Sequence, residues 1–291
     1  MKYYILNINY DKKSQVDYWL GDRRLAPVFY GNSALEQIRS GVDHKIPPQA
    51  YVDAKRFVHT FDKINESNII FSIGDRFVYV FKQGGLLKEI KENSYKKDLI
   101  KCFEIKLLKK VEIKDCPLVL VSIKANRYIQ SGTFRDLNDD KYLGNTKALE
   151  HLLNGKVVVV PNYARYLQCL SSLEFETLIA KYLEEKGLFV PAYKGGFLKN
   201  YDLFCRNLGT SNIILGDMVI RPKDSLSVQV KLNITHDHKK DLERVDLFFC
   251  INSTVKDKKI FNWRYLEKNI SGNTKTWIET VLDWVKFNDK K

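Results

Sequence analysis

Apolar and polar residues alternate most cleanly over Ser225–Asn233. There Leu226, Val228, Val230 and Leu232 interleave with Ser227, Gln229, Lys231 and Asn233. A period of two predicts a β-strand with Gln229 and Lys231 on one face and the aliphatics on the other. A different period governs Phe175, Leu178, Ile179, Tyr182 and Leu183. Their i, i+3, i+4, i+7, i+8 spacing predicts an amphipathic helix over Ser172–Lys186, stopped by Gly187 in the C′ position. Further strands are expected at Leu188–Tyr193, Tyr201–Asn207 and Val245–Asn252, and an apolar-faced helix containing Trp277 and Trp284 at Thr274–Phe287. The segment Leu208–Asp224, which contains Ile213–Ile220, is long enough to add a hairpin. A helix, a run of strands and a closing helix predict a three-layer α/β domain.

The earlier part of the chain patterns differently. Tyr3–Ile8, Pro27–Tyr30, Asn68–Ser72, Arg76–Phe81, Cys102–Leu107 and Leu118–Ile123 are short β-branched or aromatic runs. Gly31-Asn32, Gly74-Asp75 and Gly84-Gly85 supply turns between them. Many short strands with glycine turns predict a mainly-β barrel or sandwich, interrupted by one helix near Ala50–Phe61. Ser131–Asn145 reads as a loop into a linker, with a short helix at Thr146–Leu153. The expected organisation is a β domain over residues 1–140, a linker over 141–160 and an α/β domain over 161–291.

Composition narrows the field. A length of 291 residues suits two domains, and a 44% apolar share supports a proper core. No apolar run is long enough to span a bilayer, and the N-terminal Met-Lys-Tyr-Tyr-Ile-Leu reads as a strand, not a signal peptide. Five cysteines lie singly at Cys102, Cys116, Cys169, Cys205 and Cys250. That scatter argues against a zinc ribbon and for reduced thiols, hence a cytoplasmic protein. The net charge of +13 is shared by both halves, so a polyanion is the natural partner. A lysine-rich proteome would produce the same excess.

Three positions break their local pattern. Glu174, three residues after Ser171, has the spacing of a capping box. Glu176 instead sits at the edge of the apolar face, where a carboxylate needs a cation or a metal beside it. Asp202 lies in a strand-like Tyr-Asp-Leu-Phe run that disfavours Asp. Lys231 lies in an apolar strand, where an ammonium needs an anion, and Gln229 shares its face. Phosphodiester hydrolysis uses a hard cation to neutralise charge and lower the pKa of a water. Magnesium takes oxygen ligands, few of them from protein. Glu176, Asp202 and the carbonyl of Val230 form a candidate set for Mg2+ or Mn2+. Lys231 is placed to position water or stabilise the phosphoryl charge.

The run Leu173-Glu174-Phe175-Glu176-Thr177-Leu178-Ile179-Ala180, then Gly187, Gly195-Gly196, Asp202-Leu203 and Gln229-Val230-Lys231, resembles the Mrr-like restriction endonucleases of the PD-(D/E)xK nuclease superfamily. The resemblance covers roughly residues 170–255. It implies a magnesium-dependent endodeoxyribonuclease of restriction or defence, with Glu176, Asp202, Gln229 and Lys231 as catalytic residues. Gln229 stands where many members carry Glu. Upstream, Gly74-Asp75-Arg76-Phe77-Val78-Tyr79-Val80-Phe81 and Ala125–Leu137, which includes Gln130-Ser131-Gly132-Thr133-Phe134-Arg135, are loosely similar to PUA-like domains of the EVE and YTH kind. That likeness implies a β-barrel reader of modified bases, with Trp19, Tyr30 and Tyr79 as candidate pocket walls. Read from the residues alone, each is equally a core aromatic. The implied partner is double-stranded DNA, with a modified base and a homodimer for double-strand cleavage as options, and no membrane. A structure-selective DNA or RNA nuclease and a non-catalytic binder on a nuclease fold stay open. No phosphate-binding Gly-x-x-x-x-Gly-Lys-[Ser/Thr] loop and no Gly-x-Ser-x-Gly elbow is present. His236-Asp-His238 reads as a polar loop.

Overall fold

The computed structural model describes residues 1–10, 13–30, 33–40, 48–92, 99–125, 134–191, 201–234 and 239–288. The chain is mixed α/β and divides into two compact units, Met1–Gly155 and Lys156–Lys291.

The first unit carries β1 Lys2–Leu6, β2 Asn9–Tyr10, β3 Lys13–Ser14, β4 Leu25–Phe29, β5 Asn68–Ile73, β6 Phe77–Gln83, β7 Lys88–Lys91, β8 Leu99–Glu112 and β9 Phe134–Asp136. Seven of these form one sheet in the order β4-β8-β6-β5-β1-β9, with β7 also on β8. Among the described residues of this sheet only β1 and β5 pair in parallel, and the long connection between them carries the helices Leu35–Ser40 and Pro48–Phe61. Among the described residues the sheet is an open path whose ends, β4 and β9, do not meet, so the expected closed barrel is not seen. Helix Pro48–Phe61 turns Ala54, Phe57, Val58 and Phe61 onto the core, one helical stripe. Phe57 and Phe61 pack their rings on Phe103, and both also meet Phe134.

A further expectation fails here. Leu118–Ile123 is not a strand but the helix Leu118–Ser122 followed by a 3-10 turn Ile123–Ala125. Pro117 opens it, and burial falls on Val119, Leu120 and Ile123, one turn apart. The side-chain amide of Asn145 donates to the Val119 carbonyl at 2.6 Å. Packing has overridden a β-branched propensity, which is a weak prior. The short helix expected at Thr146–Leu153 is present as Leu143–Asn154. Helix Leu143–Asn154 belongs to the first unit and is stopped by Gly155 at φ 62°. Of the Ala125–Leu137 similarity, residues 126–133 lie outside the described residues.

The second unit carries β10 Val158–Val160, β11 Leu203–Arg206, β12 Ile213–Leu215, β13 Met218–Ile220, β14 Ser225–Ile234, β15 Leu247–Ser253, β16 Ile260–Phe261 and β17 Val285–Phe287. Its central sheet runs β11-β14-β15-β16. β11 is antiparallel to β14, whereas β15 and β16 follow in parallel. The expected hairpin between the two site strands exists as β12–β13. Helix Ser172–Glu185 packs on β11 and β14. Leu188–Tyr193 does not form a full strand among the described residues; a single antiparallel bridge joins Phe189 to Arg206. The closing helix is shorter than its apolar pattern predicts. It covers Gly272–Val281, and the chain then turns into β17, which pairs in parallel with β10. Val285 and Phe287 flank the exposed Lys286 at a period of two that a strand satisfies, so the apolar pattern alone did not separate the two.

Candidate functional site

The candidate site is built where β11 and β14 part. Their paired register ends at Leu203↔Val228, with Asp202 the next residue on one side and Gln229 on the other. The Asp202 backbone N–H still donates to the Val228 carbonyl at 2.9 Å. One position further along β14 the partner changes from backbone to side chain. The Val230 N–H donates to Asp202 Oδ2 at 2.8 Å. The Gln229 amide Nε2 donates to the same oxygen, and Lys231 Nζ stands 3.6 Å from it. Asp202 lies in a bend one residue before β11, not within the strand as its sequence run suggested, and its carboxylate takes the place of a ladder acceptor that β11 does not offer.

Burial sorts these groups. The Asp202 side chain is 22% exposed and Gln229 6%. The Lys231 side chain is 40% exposed, which corrects the expectation of a buried ammonium. Its strand is apolar because Val228 and Val230 face the core, while Lys231 lies near the open end of the ladder. Val230 was expected to offer its carbonyl to a metal; the contact the structure gives it in this site is through its N–H. Asp246, at the start of β15, spends its Oδ2 on the Ser227 N–H and hydroxyl, both at 2.8 Å.

The two glutamates separate as expected on one count. Ser171 and Glu174 form a reciprocal capping box. The Glu174 N–H donates to Ser171 Oγ at 3.1 Å and Ser171 N–H donates to Glu174 Oε2 at 2.8 Å. Burial pushes the Glu174 carboxyl above its usual range, against the opposing pull of the Ser171 hydrogen bonds. Glu176 is half-buried on the same helix and has interactions of its own. The structure brings Asp202, Gln229 and Lys231 together. It does not gather three or more His, Cys, Asp or Glu side chains into a group that could hold a metal among the described residues.

Trp19, Tyr30 and Tyr79, the candidate base-pocket walls, all belong to the core of the first unit. Trp19 is 0% exposed, and burial, with the nearby Asp17 carboxylate, raises the pKa of Tyr79. Gly195, Gly196, His236 and His238 lie outside the described residues. No helix among the described residues is long and apolar enough to cross a membrane. Comparison with protein-family models, curated proteins and solved structures gives no match.

A hard cation is compatible with this donor set. Gln229, Val230 and Lys231 all reach one oxygen of Asp202, and Oδ1 has no partner among the described residues. Magnesium is commonly held by one or two carboxylates, with water and phosphate completing the shell.

Proposed function

We propose that the second unit is a phosphodiester hydrolase that cuts double-stranded DNA with Mg2+ or Mn2+. The observation that carries this reading is the meeting of Asp202, Gln229 and Lys231 where two strands diverge. When bound, the cation would neutralise phosphate charge and supply a water of lowered pKa. The residues of the chain have separate tasks. Asp202 would be the charged residue that holds the cation, while the Gln229 amide and Val230 N–H fix the carboxylate through Oδ2. Lys231, reachable from solvent, orients water against the phosphorus and steadies the oxygen charge as the P–O bond breaks. Glu176, on the helix packed behind these strands, is the second candidate ligand. The first unit is the candidate reader of the duplex, with base modification as the feature it distinguishes.

The supporting charge is general: a net +13 favours a polyanion. The test is a nicking assay on plain and methylated duplexes, with branched DNA and RNA as further arms. Cleavage is expected with magnesium or manganese, to stop in EDTA, and to be lost in Lys231→Ala with its fold intact. Full activity in EDTA, or in Lys231→Ala, would overturn the reading.

A further inference from the structure

The first unit holds a cavity of about 610 Å³ that none of the expected aromatic walls lines. Arg56, Arg135 and Lys141 bring three cations to it, Asp136 and Asp139 two carboxylates, and Tyr142 an aromatic wall. We propose that it is a nucleotide-binding site.

The frame comes first. Arg135 on β9 donates through Nη1 to Asp53 Oδ1 at 2.6 Å, and both side chains are 7% exposed. This pair pins helix Pro48–Phe61 to the edge strand β9. Asp53 and Arg56 are three residues apart and so share a helix face. The pair that fixes Asp53 therefore delivers Arg56 to the cavity. Arg56 is exposed and forms no ion pair among the described residues. Lys141 pairs with Asp139 at 3.2 Å, but at 54% exposure it can exchange that partner for a ligand anion. Asp136 Oδ1 accepts from the Asn138 N–H at 2.7 Å and from its side-chain amide, which fixes the carboxylate. The Lys141 ammonium lies 5.1 Å from the centre of the Tyr142 ring.

The chemistry selects among ligands. A bare phosphate would fill little of this volume and would face two carboxylates. A nucleotide satisfies both signs: its phosphate meets Arg56 and Lys141, and its hydroxyls or exocyclic amines donate to Asp136 and Asp139. Lys141 stands over the Tyr142 ring, which is 7% exposed, so the base reaches that ring as Lys141 turns from it to the phosphate. The volume lies within the range of small-molecule sites. The nucleotide is either free or one unit of a nucleic-acid strand.

The test is calorimetric titration of the full chain with AMP, CMP, GMP and UMP, the matching nucleosides, inorganic phosphate and a short single-stranded oligonucleotide. At least one nucleotide should bind saturably, and more tightly than its nucleoside or phosphate alone. Arg56→Glu, at unchanged thermal unfolding, should weaken it by about tenfold or more, and Arg56→Lys should restore part of the loss. A free-nucleotide site binds mononucleotide and oligonucleotide alike; a strand site prefers the oligonucleotide, with the same dependence on Arg56. No saturation by any probe at about 1 mM, or equal affinity in the wild type and Arg56→Glu, overturns the proposal. Asp202→Asn should leave this binding unchanged, so failure here is distinguishable from failure of the cleavage reading.

Discussion

Asp202 does two jobs with one carboxylate, and two substitutions separate them. Asp202→Ala removes the acceptor of the Val230 N–H and of the Gln229 amide, both in buried residues. Leaving a buried donor unsatisfied costs about 1–3 kcal/mol. The ion pair to Lys231 adds little, because at 3.6 Å with a 40% exposed partner it is worth about 0–1 kcal/mol. Asp202→Asn keeps a carbonyl oxygen for Val230 and gives up only the charge, so it should cost about 1 kcal/mol or less. Urea unfolding followed by tryptophan fluorescence reports chiefly on the second unit, which holds Trp263, Trp277 and Trp284 against Trp19 in the first. With a urea dependence of about 1–3 kcal/mol/M, Asp202→Ala should lower the midpoint by about 0.5–1.5 M and Asp202→Asn by much less. Both should lose magnesium-dependent nicking. An Asp202→Ala midpoint equal to wild type would refute the capping argument. Nicking at wild-type rate by Asp202→Asn would refute the ligand role.

Two further outcomes follow from buried charge. Asp53→Ala removes the buried carboxylate partner of the Arg135 guanidinium and should cost about 3–5 kcal/mol in urea unfolding, whereas Asp53→Leu with Arg135→Met should recover most of it; equal losses in both would show that the pair's charge is not what matters. Burial raises the pKa of Glu174, so the folded chain keeps that proton to higher pH than the unfolded chain, and the group's contribution falls as pH rises from about 4.5 through the raised value. Glu174→Gln should remove that decline, so the stability of wild type minus variant should shrink between acid and neutral pH, and a difference that grows instead would reverse the assignment.

The second unit was legible wherever one period dominated. Helix Ser172–Glu185 begins at a capping box and stops at Gly187, whose φ of 91° only glycine adopts readily. β14 alternated without interruption, and the hairpin was readable from the length of the segment between the site strands. Legibility failed where a short apolar run satisfied two periods at once. Leu118–Ile123 alternates no better than it spirals, and only the helix beside it, through Asn145, decides the matter. The open sheet of the first unit was unreadable for a related reason. Turn residues mark where strands end, but closure depends on whether β4 meets β9 at the two ends of the sheet order, and no local pattern records that.

The same division explains the sites. Asp202 and Lys231 were visible because each contradicts its local environment, and the structure accounts for both. The aspartate serves a backbone donor that has lost its strand partner, and the lysine lies where the ladder opens. The cavity beside β9 left no such mark. Arg56, Asp136 and Lys141 are ordinary exposed charges in sequence, and they converge only through the Asp53–Arg135 pair, 82 residues apart. Trp19, Tyr30 and Tyr79 stood out for the opposite reason: aromatic side chains invite a pocket reading, but their large apolar area is what a core buries first. A residue that violates its element's chemistry is therefore the stronger functional signal in this chain. A residue that merely has useful chemistry acquires meaning only when a long-range contact places it.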